Sequence, residues 1–127
     1  MPSRKIEDCV EPLQIAWRDT LNEFGKLYPS DPQPFLTCTY RSNAEQMELY
    51  AQGRTKPGKK VTNIRRNGKH NSEPSKAFDI AFKTKSGALD WNPALFAKFA
   101  AIIEIKHPLI EWGGNWKSFK DLPHFQV

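Results

Sequence analysis

Only three histidines occur among the 127 residues of this chain, so their surroundings are informative. One of them, His70, lies nine positions before an aspartate set inside an apolar run, AFDIAF. Strand alternation puts Phe78, Ile80 and Phe82 on one face of that run, and Ala77, Asp79 and Ala81 on the other. The bulky face must pack on helices, whereas the alanine face leaves space above a single carboxylate. A buried carboxylate without a partner is costly, so Asp79 requires a cation or several donors. An arginine or a set of backbone N–H groups would satisfy it as a metal would. The C-terminal stretch DLPHFQV adds His124 at the start of a short strand and Asp121 three residues earlier, in a turn fixed by Pro123. Two imidazoles and one carboxylate form a common ligand set for zinc, with the fourth position left to water. Zinc held in this way is a Lewis acid that lowers the pKa of water to about 7. A nearby carboxylate that is not a ligand can take the water's proton, and Asp121 is placed for that role. Arg41, where an extended run ends and a helix begins, is a candidate to stabilise an oxyanion. Taken alone, an arginine at such a point is more often a surface charge.

The elements that must position these groups can be read from periodicity. Ile6, Cys9/Val10, Leu13, Ala16/Trp17, Leu21 and Phe24 recur at helical spacing. Pro12 suits a first turn, so the helix begins near Glu11 or kinks there. FLTCTY, 35–40, reads as a strand after a turn-rich link, YPSDPQP. Ser42 and Glu45 form a capping box that opens a second helix, with Gly53 at its stop. From Arg54 to Pro74 the chain reads as a long ordered loop with a short strand at KVTNI. AFDIAF is the second clear strand, and KTKSGALD reads as a hairpin turn with a partner strand. A third helix, NPALFAKFAAIIEI, is capped by Asn92 and has Pro93 at its first position. LIEW, the turn GGNW and the terminal PHFQV complete the pattern. The expected fold class is α+β: a small, largely antiparallel sheet packed against about three helices, forming one domain over 1–127.

Composition narrows the function. Charged residues make up 26% and hydrophobic residues 39%, a globular balance. No apolar run approaches the roughly 18 residues of a membrane span. The start, MPSRKIEDCV, lacks the apolar core of a secretory leader, so synthesis in the cytoplasm is expected. Cys9 and Cys38 lack metal or redox spacing and read as reduced, buried small hydrophobes. The net charge of +5 belongs to one segment: Arg54, Lys56, Lys59, Lys60, Arg65, Arg66 and Lys69 lie together with no acid among them. Such a segment is either a solvated loop or a contact for a polyanion such as an anionic envelope. It holds no aromatic residue, so it lacks the stacking platforms of single-strand binders and nucleic acid is not the expected partner.

YRSNAEQMELYAQGRTKPGKKVTN, HNSEPSKAFDIAF and EWGGNWKSFKDLPHFQV together resemble the zinc D,D- and L,D-peptidases of peptidoglycan. That group includes D-alanyl-D-alanine carboxypeptidases and L-alanyl-D-glutamate endopeptidases of phage and bacteria, and shares its metal site with the hedgehog signalling domain. The resemblance runs from about Tyr40 to the C-terminus. It implies Zn2+ as cofactor, with His70, Asp79 and His124 as ligands, Asp121 as general base and Arg41 as the group that polarises the scissile carbonyl. Trp112 and Trp116 would lie near the cleft, where packing roles are the simpler reading. It also implies a peptidoglycan stem peptide as substrate, and a monomer acting on the cell wall as a phage-type endolysin. L-alanyl-D-glutamate cleavage is the favoured activity, D-alanyl-D-alanine carboxypeptidase the enzymatic alternative. A basic nucleic-acid-binding module, or a metal domain without turnover, is the non-enzymatic one. The chain departs from the family pattern in having Gly68 where Ser-x-His is usual, Gln126 where Glu is frequent, and two extra residues between His70 and Asp79. The extra residues bring in Glu73 as an alternative ligand. His107 has no partner motif and reads as a histidine at a helix C-terminus, favourable there through the helix dipole.

Overall fold

The computed structural model describes residues 1–127. Three α-helices, α1 (Glu11–Leu27), α2 (Asn43–Ala51) and α3 (Pro93–Lys106), accompany four strands. The strands are β1 (Gln33–Cys38), β2 (Ala77–Lys83), β3 (Glu111–Trp112) and β4 (His124–Gln126). They form one antiparallel sheet in the order β1-β2-β4-β3. The α+β architecture expected from the sequence is therefore the one observed.

One face of the sheet is apolar because alternation makes it so. Phe78, Ile80 and Phe82 of β2 and Phe125 of β4 are fully buried. They meet Leu13, Trp17 and Phe24 of α1 and Phe96 and Phe99 of α3 in a single cluster. The rings interlock edge to face: Trp17 with Phe78 at 5.7 Å, Phe82 with Phe96 at 4.9 Å, Phe99 with Phe125 at 5.2 Å. Each such side chain contributes about 1.5–3 kcal/mol by leaving water. This layer holds β2 and β4 side by side, and the candidate site stands on their opposite face.

Local signals explain the element ends. Pro12 stands at the start of α1, where no N–H partner is needed, so the helix begins at Glu11 behind a separate 3-10 turn, Ile6–Asp8. Ser42 accepts from the Glu45 N–H while the Glu45 side chain takes the Ser42 N–H, closing the capping box of α2. Gly53 follows with φ +78°, a left-handed turn that glycine adopts without strain. Asn92 caps α3 through the Ala94 N–H.

Three expectations need correction. β1 starts at Gln33 and takes in Pro34, which is tolerated because β1 is an edge strand. KVTNI forms no strand. Side chains hold that segment instead: Gln46 Nε2 donates to the Ile64 carbonyl at 2.8 Å and Arg54 to the Thr62 carbonyl at 3.1 Å. KTKSGALD makes a turn without a partner strand, since only the isolated bridge Lys83–Leu89 forms before Asn92 starts α3.

Candidate metal and catalytic site

Sheet register builds half of the site. Asp79 pairs across the ladder with His124 on one side and Cys38 on the other. A bulge between Leu36 and Cys38 sets the second pairing, so that Cys38 rather than Thr37 opposes Asp79. His124 and Gln126 share the face opposite buried Phe125.

A loop supplies the other imidazole. His70 sits in a 3-10 turn, Lys69–Asn71, and is buried. Its carbonyl accepts from the Arg41 N–H at 3.0 Å, and Asn71 Nδ2 donates to the Arg41 carbonyl at 2.8 Å. The His70 turn and the end of β1 are thus tied in both directions. The interval between His70 and Asp79 is a loop that closes on itself, Lys76 N–H to Lys69 carbonyl at 2.9 Å. Glu73 is exposed at its tip and belongs to no cluster of metal-capable groups, so it is not the alternative ligand.

The imidazoles converge on one oxygen. His70 Nε2 lies 3.1 Å and His124 Nδ1 3.0 Å from Asp79 Oδ1. Their outer nitrogens are both committed. His70 Nδ1–H donates to the Thr39 carbonyl at 2.7 Å, and His124 Nε2–H donates to Gln126 Oε1 at 2.8 Å. Outer acceptors of this kind fix ring orientation and tautomer and leave the inner nitrogen free for a metal. Two overlapping groups of candidate ligands share Asp79: Cys38, His70 and Asp79, and Asp79, Asp121 and His124. The donor chemistry of His70, Asp79 and His124 fits a zinc ion. The structure therefore gathers around Asp79 the three residues expected as ligands, with the two imidazoles on it in separate groups.

Without a cation the three groups form an ion-paired knot. Burial alone would raise the Asp79 pKa, but the His70 charge and hydrogen bonds from both imidazoles hold it well below the usual carboxylate range. Burial alone would depress His70, yet the Asp79 charge and hydrogen bond carry it up to about 10. Asp121 borders this knot without a side-chain hydrogen bond to it. Burial first, and then the Asp79 charge, push its pKa upward. Its backbone is anchored, since its N–H donates to the Gly113 carbonyl at 3.1 Å and its carbonyl accepts from the His124 N–H at 3.1 Å. Gly113 permits this approach, because a Cβ there would stand 2.3 Å from the Asp121 carbonyl oxygen.

Arg41 borders the same space, with Nη2 4.0 Å from Asp79 Oδ2. Nη1 donates to Gln46 Oε1 at 2.9 Å and Nη2 to Cys38 Sγ at 3.3 Å, while the buried Nε has no partner. Trp116 stands 5.4 Å from the His124 ring and lines the cleft. Trp112 instead supports the turn before His124, donating to the Leu122 carbonyl at 2.8 Å and packing on Phe125. His107 lies away from the site, at the C-cap of α3, and pairs with Asp19 at 3.1 Å. The cleft above the ligands encloses about 330 Å³. A wider hollow of about 630 Å³ adjoins it and shares Arg41, Leu49 and Asp79.

Four residues contribute to the site in ways the sequence reading did not assign. Cys38 and Cys9 are both free and buried as expected, but Cys38 also touches His70 and Arg41. Gln46 pins Arg41 and the basic segment together. Gln126 orients His124, a role that strand alternation with His124 does signal. Gly113 is flagged in the sequence only by the Gly-Gly pair.

Residues 62–127 match a family model described as D-alanyl-D-alanine carboxypeptidase. The chain belongs to this peptidase family. The matched stretch carries His70, Asp79, Asp121 and His124, and the family's peptidase description suits a cleft of candidate metal ligands beside an unpaired acid. Within curated proteins, 99 residues are 39% identical to the peptidoglycan L-alanyl-D-glutamate endopeptidase CwlK of Bacillus subtilis (strain 168). That alignment spans 72% of this chain and 59% of the relative's length. Of solved structures, the Serratia marcescens L-Ala D-Glu endopeptidase ChiX superposes with a TM-score of 0.64 at 25% identity. The superposition covers 95% of this chain and 78% of that one. No helix of this family member is long and apolar enough to cross a membrane.

Proposed function

We propose that the chain is a zinc-dependent hydrolase of peptidoglycan stem peptides that cuts the bond between L-alanine and D-glutamate. The observation that carries this reading is the convergence of two imidazole nitrogens on Asp79 beside an unpaired, half-buried acid, Asp121. The two relatives named for that bond support the choice of substrate. His70 Nε2, an Asp79 oxygen and His124 Nδ1 would hold the metal. When bound, zinc supplies a Lewis acid that polarises the scissile carbonyl and acidifies water.

The chain's own groups do the rest. Asp121, held by Gly113 and the His124 N–H, takes a proton from the attacking water; its raised pKa brings it closer to neutrality, where a general base works best. The water oxygen bonds to the carbonyl carbon, the C–N bond breaks, and Asp121 returns the proton to the departing amine. Arg41, fixed by Gln46 and Cys38, offers positive charge where the oxyanion develops. Action on the wall in the manner of an endolysin, with the exposed basic residues of segment 54–69 meeting an anionic envelope, belongs to the same proposal.

The test is digestion of purified peptidoglycan followed by mass spectrometry of the muropeptides. The zinc-loaded chain should release fragments with a new D-glutamate N-terminus, chelator should abolish release, and zinc should restore it. The family's description favours one competitor, D-alanyl-D-alanine carboxypeptidase activity. Loss of a terminal D-alanine alone would replace the first reading with that one.

A further inference from the structure

The substrate bond imposes a requirement of its own. A glutamate acylated on nitrogen keeps two carboxyl groups, and extending the peptide uses only one. The departing segment therefore carries a free carboxylate two to four bonds from the scissile nitrogen. A cleft suited to it needs a cation that the catalytic machinery has not consumed.

The cleft contains one. Apart from the ligand histidines, its lining cations are Arg41 and Lys69. Arg41 is spent on Gln46, Cys38 and Asp79. Lys69 is exposed, and its ammonium enters no ion pair or hydrogen bond within the chain. Two neighbouring donors are occupied: Asn71 bonds the Arg41 carbonyl and the Gly68 N–H, and Trp116 Nε1 bonds Glu111. Gly68 brings no side-chain donor, and a Cβ there would stand 2.9 Å from Ile64 Cγ2. The Lys69 backbone is as firmly held as the adjacent ligand, because its carbonyl accepts from the Lys76 N–H at 2.9 Å. A fixed backbone carrying a free ammonium on a flexible four-carbon stem is a point charge well suited to a carboxylate.

We propose that Lys69 recognises the free carboxylate of the glutamate whose amine is released, and so determines specificity at that subsite. The inference rests on the L-alanyl-D-glutamate reading and assigns the residue that enforces it.

Two synthetic stem peptides test it, one with the glutamate carboxylate free and one with it converted to a carboxamide. The zinc-loaded wild-type chain should prefer the acid by about tenfold in kcat/KM, the scale of a charge-assisted hydrogen bond. Lys69→Met should bring the ratio close to one through a rise in KM with little change in kcat, and Lys69→Arg should keep most of the preference. Calorimetric titration with the released D-glutamyl peptide should show the same loss of acid-over-amide preference in Lys69→Met. Lys69→Gln is a second neutral variant, and either one that retains zinc decides the matter. A wild-type chain that cleaves both peptides equally, or a neutral variant that keeps the preference, overturns the role of Lys69 and leaves the substrate reading intact. A zinc-loaded wild type that cleaves neither peptide overturns both.

Discussion

The two imidazoles of the site reach the same carboxylate oxygen by different routes. His124 is held by a sheet: β4 pairs with β2 on one side and β3 on the other, and Phe125 next to it is locked in the aromatic core. His70 is held by a loop, through cross-bonds to Arg41, Thr39 and Asn71. The sheet arm inherits its position from the hydrophobic layer. The loop arm depends on a handful of hydrogen bonds, each worth about 0.5–1.5 kcal/mol net. Preorganisation on one side and adjustability on the other is a workable division for a site proposed to accept both a metal and a peptide.

The sheet arm also carries the proposed base, and this gives the largest expected effect. Asp121→Asn should cut hydrolysis about 10²–10⁴-fold. Zinc content, measured by atomic absorption, should stay at the wild-type level, because no ligand is removed. Loss of the metal along with activity would mean that Asp121 is a ligand, and the two arms would be less alike than described.

Next come the outer acceptors. Gln126→Ala removes the partner of His124 Nε2 and should weaken zinc binding about 10–100-fold. Asn71→Ala, which unties the His70 turn from Arg41 and Gly68, should weaken it by less, because the Thr39 carbonyl still orients His70. Competition with a chromophoric chelator reads both affinities. If Asn71→Ala proved the more damaging, the loop arm would be the one that limits the site.

The smallest effect concerns the metal-free chain and pH. Asp79 is depressed when folded, so its contribution to stability is present above the ordinary carboxyl value of 3.8 and fades as pH falls below it. His70 is raised, so its contribution is complete below 6.5 and is lost as pH rises toward about 10. Thermal unfolding in chelator should therefore peak between those limits and decline on the alkaline side. Added zinc should remove the alkaline decline, since a ligand imidazole is neutral. A flat alkaline profile without metal would show that the His70–Asp79 pair does not form.

Much of this was legible in the residues. The helices follow from the spacing of Leu13, Trp17 and Phe24 and from the caps at Ser42 and Asn92. Scarcity made the candidate ligands visible, because a chain with three histidines and one carboxylate inside an apolar strand leaves few combinations. The strand expected at KVTNI failed for a reason local propensity does not contain: Gln46 and Arg54 take the Ile64 and Thr62 carbonyls before any ladder can. The partner strand expected after Lys83 failed because the helix signal at Asn92 and Pro93 leaves only an isolated bridge before it.

By itself, then, the sequence determined which elements form, which faces of them are apolar, and which few side chains are chemically able to hold a metal. Those properties are set by alternation, helical period and residue type within a short stretch. Only the tertiary structure decided that a bulge in β1 would bring Cys38 into line with Asp79, that Gln126 and Thr39 would occupy the outer nitrogens, and that Lys69 would remain the cleft's unspent cation. These outcomes depend on the direction of hydrogen bonds between residues far apart in the chain, and that direction exists only once the packed core has fixed the register of the strands.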